Sequence, residues 1–89
     1  MLNKYLAEFL GTLFFVYIVL ATGNAIAIGA ALAIAVMITG NISGGHINPA
    51  VSVAMVAAGK LSSSDLLPYI LAQIAGGMVA LELFKRVKL

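Results

Sequence analysis

Between Glu8 and Lys60 no side chain carries a charge. A helix crosses the roughly 30 Å hydrocarbon core of a bilayer in about 20 residues, so more than one crossing fits inside this stretch. A soluble domain of such a length leaves roughly 40% of its unfolded-chain surface exposed and needs polar residues to cover it. Here 63% of the side chains are apolar and only eight of 89 are charged. A bilayer is the solvent that suits the chain.

Breaks in the apolar pattern divide it. Gly23-Asn24 is a short turn signal that separates a first span, about residues 5–22, from a second, about 25–42, in a tight antiparallel hairpin. The alternative is a signal peptide with Lys4 in its n-region, but Glu8 sits badly in an h-region and further apolar segments follow. Residues 43–59 then form a polar, glycine-rich loop and a short apolar segment in which Asn48 reads as an N-cap and Pro49 as the first helical residue. A helix from Asn48 to Gly59 is about 18 Å long and cannot cross. After the polar connector Lys60 to Asp65, residues 66–84 form a third span with Pro68 in its first turn, and Lys85, Arg86 and Lys88 make a basic tail. The expected fold class is an all-α membrane protein of three transmembrane helices plus one re-entrant half-helix, in one repeat covering residues 1–89.

Several functions are excluded by what is missing. Without cysteine there is no disulfide framework or thiolate site, and one His with three acids leaves little for a metal site. No nucleophile, base and oxyanion arrangement can be assembled, so an enzyme is not expected. The basic residues make no Arg-rich face for nucleic acid. No metal and no cofactor are expected.

The stretch Ser43-Gly44-Gly45-His46-Ile47-Asn48-Pro49-Ala50-Val51 resembles the first Asn-Pro-Ala loop of the aquaporin and aquaglyceroporin family. The resemblance extends to Ala7-Glu8-Phe9-Leu10-Gly11-Thr12 and to Pro68-Tyr69-Ile70-Leu71-Ala72-Gln73, in the family's order. It implies a passive channel for water or small neutral solutes such as glycerol. Asn48, Pro49 and Ala50 would lie at the midplane, and the carbonyls of Gly44, Gly45, His46 and Ile47 would line the path. The matching acid, Glu8, would hold the loop by accepting backbone N–H groups, with Gln73 as its neighbour; the competing reading of Glu8 is an interfacial residue facing water. The ring of His46 is expected to hydrogen-bond the loop. Val51 stands where the family's second loop usually has a filter Arg. Spacing back from Asn48 puts the other filter positions at Ile28 and Val36, so the resemblance implies an apolar constriction of Ile28, Val36 and Val51 without a fixed charge.

Family members carry two inverted repeats and this sequence carries one, which leaves loop polar groups facing lipid unless a partner covers them. Lys4, Lys60 and the terminal amine fall on one side of the membrane, against Lys85, Arg86 and Lys88 on the other, so charge leaves orientation nearly undetermined. The expected partner is a second copy inserted upside down, an antiparallel homodimer in the lipid bilayer, with up to four pores per assembly as in the family. The alternatives are a separately encoded second half, a packing subunit of a larger membrane protein, and a truncated half-channel. Met1 and the basic end at Lys88 argue against the last.

Overall fold

A computed structural model describes residues 2–87; Met1 and Lys88 lie outside the described residues. The described chain runs α1 (Leu2–Thr22), α2 (Ala25–Ser43), α3 (Pro49–Ala57) and α4 (Ser63–Arg86). Three of these, α1, α2 and α4, are long and apolar enough to cross a membrane. The long axis of 39 Å exceeds the roughly 30 Å of a hydrocarbon core. The fold is thus three spans and one half-length helix.

The link between α1 and α2 is two residues long because both work as caps. Gly23 takes the left-handed conformation (φ +55°) and returns its N–H to Val19 O, and the Asn24 side chain then accepts from Ala27 N–H at 3.0 Å. Along α2 the buried positions are Ala31, Ala35, Thr39 and Ser43, four apart, so one narrow stripe of small residues faces α1. α4 packs on the other flank of α1. A Cβ placed on Gly76 would collide with the Phe9 carbonyl oxygen, so only glycine permits this backbone contact. The two helices are parallel: Lys4 and Tyr5 meet Asp65 at one end, and Tyr17 Oη donates to Val87 O at the other. Leu10, Ile26, Met37, Ile38 and Leu71 are more than half exposed, which suits a lipid solvent.

α3 packs on α4, and its backbone stays apart from those of α1 and α2. Asn48 caps its start and Pro49 is its first residue. It ends two residues before Gly59, because Gly59 (φ +76°) is the left-handed residue of a Schellman turn in which Lys60 N–H reaches Met55 O and Gly59 N–H reaches Val56 O. The half-helix is therefore about 13 Å long, shorter than the 18 Å expected. Its N-terminus is the deep end. Ile47 Cδ1 lies 2.7 Å from where a Cβ on Gly11 would be, and Gly11 is the tenth of the 21 residues of α1.

Two expectations are corrected at the start of α4. The helix begins at Ser63, so Pro68 is its sixth residue and lies beyond the first turn. Asp65 belongs to the helix and not to a solvated connector: it is buried in the first turn, where Lys4 Nζ and Tyr5 Oη donate to its two oxygens at 2.6 Å each. An acid there is favoured by the helix dipole as well.

Candidate functional site

Five residues, Gly44 to Asn48, connect α2 to α3, and their backbone polar groups are sorted to opposite sides. Gly44 N–H returns to Gly40 O, Gly45 N–H goes to Ser43 Oγ, and His46 and Ile47 N–H go to Glu8. Every N–H from Gly44 to Ile47 is thus bonded to the protein. Among the described residues no donor meets the carbonyls of Gly44, Gly45, His46 or Ile47. Such sorting requires unusual backbone: Gly44 (φ +93°), Gly45 (φ +65°) and Ile47 (φ +60°) are all left-handed. For a β-branched residue this costs about 1–2 kcal/mol, and Ile47 is held there by burial and by Glu8.

Glu8 is fully buried and accepts four hydrogen bonds. Its Oε2 takes Ser43 Oγ at 2.6 Å and His46 N–H at 3.0 Å; its Oε1 takes Ile47 N–H at 2.8 Å and Gln73 Nε2 at 2.9 Å. Gln73 gives its second amide hydrogen to Ser52 Oγ, also at 2.9 Å. Ser52 Oγ then lies 2.8 Å from His46 Nδ1. Ser52 Oγ has one hydrogen and two lone pairs, so it can accept from Gln73 and pair with Nδ1 in either ring tautomer. The ring of His46 therefore bonds the half-helix and not the loop. One column of side chains from α1, α4 and α3 grips the loop from behind.

Asn48 is exposed, and its Oδ1 is spent on Ala50 N–H at 2.7 Å. Among the described residues its amide hydrogens find no acceptor. Pro49 and Ala50 are exposed beside it. Ile28, half-buried, and Val36, 38% exposed, lie two turns apart on α2, with Val36 Cγ1 packed at Gly45. Val51 is half-buried on α3. The backbones of α2 and α3 do not approach each other, so a single chain does not draw these three together. Among the described residues no group of three His, Asp or Glu comes together that could hold a metal.

Ser43, Ser52, Tyr69 and the Lys4–Tyr5–Asp65 cluster escaped the sequence reading. Asp65, Tyr69 and Gln73 are spaced four apart in an apolar helix, and such a polar stripe in a span signals an interior contact. Tyr69 is 1% exposed and donates to Ser43 O at 2.7 Å.

Comparison with known proteins finds sequence relatives over nearly the whole chain. Residues 1–88 match the Major intrinsic protein family. A glycerol uptake facilitator protein-like 6 of Lactiplantibacillus plantarum is 44% identical over 88 residues, 89% of this chain and 41% of that protein. An aquaporin Z of Brucella melitensis is 40% identical over 95 residues, 90% of this chain and 42% of that protein. A rat aquaporin-8 is 48% identical over 61 residues, 68% of this chain and 23% of that protein. The chain thus spans about two-fifths of the length of the first two of these curated relatives. It belongs to the major intrinsic protein family and is an integral, multi-pass membrane protein.

Proposed function

We propose that the chain forms a passive channel for water and small neutral solutes such as glycerol, with the pore built by two antiparallel copies. The observation that carries this reading is the sorting of the loop: all four N–H groups from Gly44 to Ile47 are bonded inward, and their carbonyls are left free. In a membrane such acceptors are tolerated where protein covers them or along a watered path, and the exposed ends of the loop, Gly44 and Asn48, suit the second. The exposed Asn48 amide supports it, as does the separation of the α2 and α3 backbones, which leaves one side of the loop open to an inverted second copy.

Two half-helix N-termini meeting at the midplane each bring roughly half a positive charge, together with the Asn48 amide hydrogens. A water there accepts through its oxygen, so both its hydrogens point outward to the carbonyl rows of the two copies. The orientation reverses at the centre, the continuous donor chain that proton hopping needs is broken, and the positive ends disfavour cations. No fuel and no cofactor enter. Each mouth takes its constriction from Ile28 of one copy and Val36 and Val51 of the other.

Proteoliposomes containing only this chain are expected to shrink and reswell faster than empty ones after an osmotic step. Asn48→Asp keeps a capping oxygen but loses the amide donors, and should lower flux on the order of tenfold, the worth of one or two hydrogen bonds. Folded, inserted protein without Asn48-dependent flux would refute the channel. Val51→Arg places a long cation in an apolar constriction and should cut glycerol flux several-fold. Unchanged glycerol permeation in that variant would remove Val51 from the path.

A further inference from the structure

On α2, Thr39 meets Gly11 and Ser43 meets Glu8, so Asn41 lies level with the α1 residues between Glu8 and Gly11. That is about 11 Å in from the start of α1 at Leu2, within the hydrocarbon region. Asn41 is exposed, and among the described residues its amide makes no hydrogen bond. At about 100° per residue it points roughly 140° away from Val36 and 160° from Thr39, the α2 side chains on which Gly45 of the loop packs. It is therefore turned away from the loop and from whatever faces the loop. Lipid tails offer it neither donor nor acceptor. The residues around it form a seam: Ala30, Ile34, Met37 and Asn41 recur at steps of four, three and four, and all are exposed, Ile34 by 46% and Met37 by 79%. Such steps are the spacing by which two helices interlock along their length, and a lone Asn in a seam of this kind fixes its register.

We propose that two copies of the chain in the same orientation pair through this face of α2, with Asn41 of one copy hydrogen-bonded to Asn41 of the other. A carboxamide carries both donors and an acceptor, so two of them at one depth satisfy each other. Orientation follows from where the seam lies. Asn41 is two residues from the end of α2, and the rest of the seam runs from it towards the hairpin. An inverted copy that brought its Asn41 level would have its seam running the opposite way and would share no other position. A copy in the same orientation matches Ala30, Ile34 and Met37 with themselves as well, in a two-fold contact about the membrane normal. The pairing rests on the membrane fold and on no property of the channel.

The chain has no cysteine, so Ala30→Cys places a single thiol on the seam, about 16 Å along α2 from Asn41. With purified chain at low density in phosphatidylcholine vesicles, mild oxidation should convert most of this variant to a disulfide-linked dimer. Copies in the same orientation bring the two sulfurs within disulfide reach, whereas inverted copies with level asparagines hold them about 33 Å apart. Adding Asn41→Leu, which keeps the seam apolar, should slow the linkage about three- to tenfold, and Asn41→Gln should restore most of the rate. Leu71→Cys, at a position 58% exposed on α4 and off the seam, should stay unlinked. No linkage in Ala30→Cys, equal linkage in Leu71→Cys, or a rate indifferent to Asn41→Leu each overturns the pairing. Because Asn41 bonds to nothing within the chain, Asn41→Leu should keep the wild-type unfolding midpoint in detergent, and a clear fall would overturn its assignment as an unpartnered group.

Discussion

Glu8→Gln should reduce flux to that of empty vesicles and lower the unfolding free energy in detergent by about 1–3 kcal/mol. The carboxylate faces only donors: Ser43 Oγ, two backbone N–H groups and the Gln73 amide. A glutamine offers one oxygen and one NH2 group in the same place. With the NH2 towards Ile47, a buried N–H and the Gln73 amide lose their acceptor. With it towards Ser43, the hydroxyl can turn to Thr39 O, already 3.3 Å away, but His46 N–H is orphaned. Neither orientation satisfies the loop. The left-handed Ile47 then loses what offsets its strain, and the loop N–H groups turn into the path. A Gln variant with wild-type flux would show that Glu8 does not hold the loop.

The second large effect concerns orientation. Lys4 is bound to Asp65, so Lys60 is the connector-side cation that can be removed without breaking an ion pair. Lys60→Gln leaves Lys4 against Lys85, Arg86 and Lys88; the double variant Lys85→Gln, Arg86→Gln leaves Lys4 and Lys60 against Lys88. Each should drive nearly all copies into a single orientation, in opposite senses. Flux should vanish in either variant alone and return when both are co-expressed. The chain has no cysteine, so one introduced at exposed Ser62 reports the side directly. An impermeant maleimide should label about half of the wild type and all or none of each variant. Uniform labelling of the wild type, with flux only when a different inverted half is supplied, would replace the homodimer by a heteromeric channel.

What could be read before the structure was whatever local chemistry decides. The Gly23-Asn24 hairpin, the cap at Asn48-Pro49 and the half-length of the segment after it all rest on neighbouring residues. The hold of Glu8 on the loop, with Gln73 beside it, came with the resemblance, whereas the parts played by Ser43, Ser52, Tyr69 and Asp65 were hidden because they depend on register. Gly76 lets α4 approach the α1 backbone at Phe9, and only that contact sets Gln73 level with Glu8 and Asp65 level with Lys4 and Tyr5. Pro68 misled for a related reason. It suits the opening of a helix, but Ser63, Ser64 and Asp65 add most of a turn in front of it, and the Asp65 contacts to α1 hold that turn in place.

The left-handed Ile47 also dictates an order of events in biogenesis. Nothing within the loop stabilises it, since its acceptors belong to Glu8 and its packing to Gly11, both on α1, while the column behind it needs Gln73 and Tyr69 from α4. A nine-residue helix does not persist alone in water. The three long helices are therefore expected to dock before the loop can take this conformation. Its descent to mid-depth would then be the last step in the making of each copy.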